Sequence, residues 1–99
     1  MSLQSPANMQ ELMSLIGYLL LHWGWLENRL QDGRVPEGLA DVRRLRNVIC
    51  HGLQEAHADG VEAYVLCRRL DGTMERISGV ELYGAVHELE QAAARPRSS

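Results

Sequence analysis

From Leu12 to Leu26 the chain carries no Asp, Glu, Lys or Arg, and its apolar residues fall on nearly every side of a helix drawn through them. Ser5 and Pro6 form a helix start upstream, as N-cap and first helical residue, and Asp32-Gly33 supplies a stop. The pattern therefore predicts a first helix over about 6–31. A helix that is apolar all round must be buried on more than one side. The short remainder of the chain can cover one side, so the other calls for a partner, and the simplest partner is a second copy. Gly17 and Gly24 are seven residues apart, share a face and would let two helix backbones approach closely.

Residues 32–38 read as a loop, and Leu39, Val42, Leu45, Val48 and Ile49 then recur at helical spacing. They predict a second helix over about 37–51, antiparallel to the first, with Gly52 as a left-handed C-terminal residue. Residues 54–60 are polar and end in a turn signal at Asp59-Gly60. Beyond them the period changes to two: Val61, Ala63, Val65 and Cys67 alternate with Glu62, Tyr64, Leu66 and Arg68. Asp71-Gly72 reads as a two-residue hairpin turn, with a return strand over 73–77. Ser78 and Glu81 have capping-box spacing and open a third helix over about 79–94. Residues 95–99 are a loose tail. Two strands alone are marginal in water, so the hairpin must lie on the helices or pair with another chain.

The expected fold is mainly α, of the α+β class: an antiparallel helical hairpin, a C-terminal helix and one small β-hairpin over about 61–77. With 99 residues it is a single domain over 1–99, since so short a chain cannot hold two separate cores. The formal charge of −3 argues against a broad electrostatic grip on nucleic acid or anionic lipid, but leaves room for a local basic site. All ten basic residues are arginine, whose planar fork suits carboxylate or phosphate. The apolar run of about fifteen residues falls short of the ~20 a bilayer needs, and no leader pattern precedes it, so no membrane association is expected. Cys50 and Cys67 are too few for a disulfide scaffold, and a reduced, cytoplasmic setting is the expectation.

Glycine-rich phosphate loops, zinc spacings and nucleophile elbows are missing from the sequence, and neither a metal nor another cofactor is expected. One segment stands apart: Arg43, Arg44, Leu45, Arg46, Asn47, Val48, Ile49, Cys50, His51, Gly52. It is an arginine-rich helix ending in a histidine, where the negative end of the helix macrodipole favours protonated imidazole. A histidine so placed suits general acid–base work, and the arginines suit phosphate. At about 100° per residue, Asn47 and Arg44 share the face of His51, whereas Arg46 points about 140° away from it. On these residues alone, a solvated arginine face with a dipole-complementing histidine is the competing account.

Arg46-Asn47 followed after three further residues by His51-Gly52 resembles the signature of the HEPN superfamily (higher eukaryotes and prokaryotes nucleotide-binding domains). The likeness covers about residues 8–55, with a long apolar helix before the motif helix. Arg44 also satisfies the motif's loose spacing. The chain departs from the family in offering three helices and a β-hairpin, where family domains are usually four- or five-helix bundles. Leu53 stands where some toxin branches carry tyrosine. The resemblance implies a metal-independent RNA endonuclease, acting as a homodimer whose two motifs line one cleft, as a toxin or defence component with an antitoxin or operon partner. It assigns catalysis to Arg46, Asn47 and His51, and Arg43 and Arg44 would hold RNA. Two other classes stand beside it: a non-catalytic dimerisation or RNA-binding module, and a subunit whose first helix docks a different protein.

Overall fold

The computed structural model describes residue 6 and residues 8–29, 37–58 and 62–94. Helix α1 (Met9–Arg29) is followed by a single 3-10 turn (Glu37–Leu39) and helix α2 (Ala40–Gly52). Three strands come next, β1 (Leu53–Ala58), β2 (Ala63–Arg68) and β3 (Met74–Ser78), and helix α3 (Gly79–Ala94) closes the order. The fold is mainly helical α+β, as expected, but the predicted hairpin is two-thirds of a three-stranded antiparallel sheet in the order β1-β2-β3.

Strand β1 is the missed element. Its sequence, LQEAHA, is poor in the β-branched and aromatic residues that mark strands. Pairing with β2 makes it one, in the register Ala56↔Val65, His57↔Tyr64 and Ala58↔Ala63, with a bulge between Leu53 and Glu55. Ala56 and Ala58 pack against the core. Tertiary pairing overrides local propensity here.

The start of α1 also differs from expectation. Asn8, not Ser5, caps it: the Glu11 backbone N–H donates to Asn8 Oδ1 at 2.9 Å, and Pro6 stands outside the helix. Ser5, the Asp32-Gly33 stop, the Asp59-Gly60 turn and the tail 95–99 lie outside the described residues. At the β2–β3 turn, Gly72 N–H donates to Arg69 O at 2.9 Å and Arg69 N–H to Thr73 O at 2.8 Å. The connection is therefore three residues, Leu70-Asp71-Gly72, with Gly72 at φ 90° in the left-handed region. Asp71 Oδ1 accepts from the Thr73 N–H at 2.9 Å within the turn. Ser78 caps α3 as its spacing predicts, accepting from the Glu81 N–H at 3.1 Å.

The core joins Leu12, Ile16, Leu19, Trp23 and Leu26 of α1 to Val42, Leu45 and Ile49 of α2. Val65 and Cys67 of β2, Ile77 of β3 and Leu82, Val86 and Leu89 of α3 complete it. Helix α1 packs more extensively on α3 than on α2. Its other face stays open: Met13, Tyr18, Leu20, Leu21 and Trp25 are exposed. Among the described residues, no helix is long and apolar enough to cross a membrane.

Candidate functional site

The last three turns of α2 carry the motif, and their orientation follows from the buried stripe. Val42, Leu45 and Ile49 face the core, which turns Arg43, Asn47, Cys50 and His51 toward solvent or its margin. His51 and Arg43 are exposed, while Arg46 and Asn47 are half-buried on the flank between core and solvent. The Arg46 guanidinium donates from Nη1 to Asn47 Oδ1 at 2.9 Å. Its Nε is buried and has no hydrogen-bond partner. A buried cationic N–H without an acceptor is a costly arrangement. The fold thus brings Arg46 and Asn47 together, and no hydrogen bond ties His51 to either.

Arg44 has a different setting from Arg43. Its Nη1 donates to Glu75 Oε2 at 2.6 Å and its Nε to Asp41 Oδ1 at 3.0 Å. Arg69 reaches the other Glu75 oxygen at 3.1 Å and also donates to Thr73 Oγ1. The Glu75 side chain is only 12% exposed and knits α2 to the β2–β3 hairpin. Hydrogen bonding to Glu75, then to Asp41, pushes the Arg44 pKa up. Burial raises the Glu75 carboxyl, but the hydrogen bonds and charges of Arg44 and Arg69 outweigh it and hold the group below the usual glutamate value. Sequence reasoning missed Glu75, because its partner lies 31 residues away and only the folded chain joins them.

That depressed pKa has a sign. A carboxylate stabilised in the folded state contributes fully above the unfolded value of about 4.3 and loses its contribution as pH falls through the folded value. Glu75→Gln should therefore reduce stability at neutral pH, by about 1 kcal/mol after solvent screening. The difference from the parent should shrink in acid. Urea unfolding at pH 7 and pH 3 checks it, and an equal deficit at both would refute the linkage.

Gly52 is not left-handed; among the described residues only Gly72 has positive φ. Helix α2 instead runs straight into β1, with Leu53 extended at φ −61° and ψ 120° and its N–H still bonded to Ile49 O. A Cβ at Gly52 would lie 2.0 Å from the carbonyl oxygen of Arg68. The glycine that follows the histidine is thus a contact between helix end and sheet.

Elsewhere, the outer face of the sheet carries a stack: His57 lies on Tyr64 at 4.9 Å and the Arg76 guanidinium on the same ring at 4.1 Å. Arg76 also pairs with Glu62, and His57 with Glu55 at 3.0 Å. A groove of about 560 Å³ runs along the first half of α1 beside Tyr83 of α3, and none of the motif residues lines it. Among the described residues, no three His, Cys, Asp or Glu side chains gather as a metal site. Compared with protein-family models, curated proteins and solved structures, the chain finds no match in any of the three.

Proposed function

We propose that the chain is a HEPN-like, metal-independent RNA endonuclease that works as a homodimer. The observation that carries the reading is the Arg46–Asn47 pair, a guanidinium held by a neighbouring amide, with the exposed His51 one helical turn beyond Asn47 on α2. In this reading a ribose 2′-hydroxyl attacks the adjacent phosphorus as the bond from phosphorus to the leaving 5′-oxygen breaks. His51 either takes the proton from the 2′-hydroxyl while water protonates the leaving oxygen, or protonates the leaving oxygen while water takes the 2′-hydroxyl proton. Arg46 stabilises the charge on the phosphoryl oxygens, and Asn47 holds Arg46 in place. A 2′-hydroxyl nucleophile dispenses with metal-activated water. Arg43, exposed and unpaired, grips the backbone, and Arg44 joins it only by giving up Glu75 or Asp41. A cytoplasmic setting belongs to the same reading, as Cys50 and Cys67 are both free thiols.

A second reading is a non-catalytic RNA-binding module on the same helix. The observation favouring it is that no side chain hydrogen-bonds to His51 to orient the ring. Incubating the pure protein with total RNA in EDTA separates the two. Cleavage supports the endonuclease, and retention of RNA without cleavage transfers the site to the binding module.

A further inference from the structure

Two arginines from distant parts of the chain converge on one carboxylate where the β2–β3 hairpin meets α2. Arg44 Nη1 donates to Glu75 Oε2 at 2.6 Å, and Arg69 Nε donates to Oε1 at 3.1 Å. Each carboxylate oxygen thus takes one guanidinium, as neighbouring oxygens of a phosphate group do between two arginines. The Arg44 and Arg69 side chains stay about half exposed, so solvent reaches both. Glu75 itself stands on β3, at the edge of the sheet.

Neither arginine depends on Glu75 alone for its place. Arg44 Nε is tied to Asp41, one turn back on α2, at 3.0 Å. Arg69 Nη1 donates to Thr73 Oγ1 at 3.2 Å, and its backbone N–H donates to Thr73 O at 2.8 Å. Thr73 is held in turn by Asp71 Oδ1, which accepts from its hydroxyl at 2.6 Å and from its N–H at 2.9 Å. These anchors do not involve the Glu75 carboxylate, so both guanidiniums stay aimed at one point when it leaves. Each uses only part of its five N–H donors in these bonds, which leaves donors for the further oxygens of a tetrahedral anion. The other carboxylates nearby, Asp41 and Asp71, are exposed and engaged with Arg44 Nε and Thr73.

We infer that Arg44 and Arg69 form a phosphate site that Glu75 fills as an internal stand-in, and that a phosphate monoester takes the site by displacing the Glu75 carboxylate. The ligand class follows from charge. A monoester dianion brings two negative charges to a pair of cations where the carboxylate brings one, whereas a phosphodiester brings no more than the carboxylate. An internal carboxylate competes at an effective concentration of about millimolar or above, which masks the resting site against weak ligands. The endonuclease reading needs neither Glu75 nor Arg69, so the two stand or fall separately.

The same chemistry ends an RNA chain and a free nucleotide. Calorimetric titration therefore uses adenosine 5′-monophosphate and a short 2′-O-methyl oligoribonucleotide with a 5′-phosphate, each against its dephosphorylated twin. The methylated strand has no 2′-hydroxyl nucleophile, so nuclease activity does not enter the result. Glu75→Gln keeps the side-chain shape and removes the charge. It should bind a phosphorylated probe about tenfold or more tighter than the parent does, and the probe should raise its Tm. Glu75→Gln/Arg69→Gln should lose that gain. A gain with the monophosphate identifies a free nucleotide as sufficient, and a gain confined to the oligonucleotide identifies an RNA 5′ end. If Glu75→Gln does not fold, Arg69→Gln reads the same site, since it should abolish the weaker binding of the parent. Equal affinity of parent and Glu75→Gln for both probes overturns the site, as does binding that survives the loss of Arg69 or of the phosphate.

Discussion

Gly52→Ala should destabilise the protein far more than the same change at Gly17, Gly24 or Gly38, where a Cβ meets nothing within 4 Å. The added carbon would lie 2.0 Å from Arg68 O, 2.9 Å from its carbonyl carbon and 3.1 Å from its nitrogen, all backbone atoms. No side chain can rotate away to relieve the clash. Either α2 lifts from the sheet or the Leu53↔Cys67 pairing opens, and both uncover core around Ile49 and Cys67. Overpacking a well-filled site costs about 1–3 kcal/mol, and the lost pairing adds to it, so the total should reach at least about 3 kcal/mol. For a domain of this size that lowers Tm by roughly 12–24 °C, out of a stability of only about 5–15 kcal/mol. Gly38→Ala is the control, since its Cβ meets nothing within 4 Å. Calorimetry of the two variants checks the expectation, and a Gly52→Ala protein melting within ~2 °C of the parent would show that the α2–β1 junction relaxes freely. Loss of function in this variant would then reflect unfolding rather than chemistry, although the glycine sits inside the motif.

His51→Ala should show the opposite profile, with catalysis lost and stability kept. The ring is exposed and makes no hydrogen bond, so its removal should change stability by no more than about 0.5 kcal/mol. A general acid or base contributes about 10²–10⁴-fold in rate, equivalent to about 3–5 kcal/mol of barrier. Arg46 needs a gentler replacement, because its half-buried stem fills space that alanine would empty. Arg46→Lys keeps the charge but loses the planar fork and the geometry of the bond to Asn47, and should also cut cleavage by an order of magnitude or more. The remaining arginines separate cleanly. Arg43→Ala should weaken RNA binding and flatten its salt dependence, whereas Arg44→Ala should lower stability by freeing Glu75 from one of its two cations. Measured cleavage rates in EDTA, set beside melting curves, read all four. A His51→Ala protein that cleaves RNA at the parental rate would refute the nuclease reading and leave the binding module in its place.

Much of this architecture was legible from local signals. The apolar run of α1, the 3.6-residue stripe of α2, the alternation of β2 and the Ser78–Glu81 cap each specify an element within a few neighbouring residues. The residues from Arg46 to Gly52 were legible in the same way, as seven consecutive positions on one helix. The exposed face of α1 followed from counting, because fifteen uncharged residues exceed what the rest of the chain can cover.

What local signals could not reveal depended on residues far apart in the chain. Strand β1 exists because β2 offers it hydrogen bonds, not because LQEAHA prefers an extended backbone. Glu75 became the anchor of Arg44 and Arg69 only when the hairpin folded against α2, so the choice between Arg43 and Arg44 as free cations was tertiary. Gly52 looks like a helix terminator by its position, yet the carbonyl of Arg68, sixteen residues later, is what excludes a side chain there. Sequence determines an element when its reasons lie within a turn or two of the chain. Close approach, charge pairing and edge-strand identity are set by whichever distant groups the packed core brings against it, and only the tertiary structure decided those.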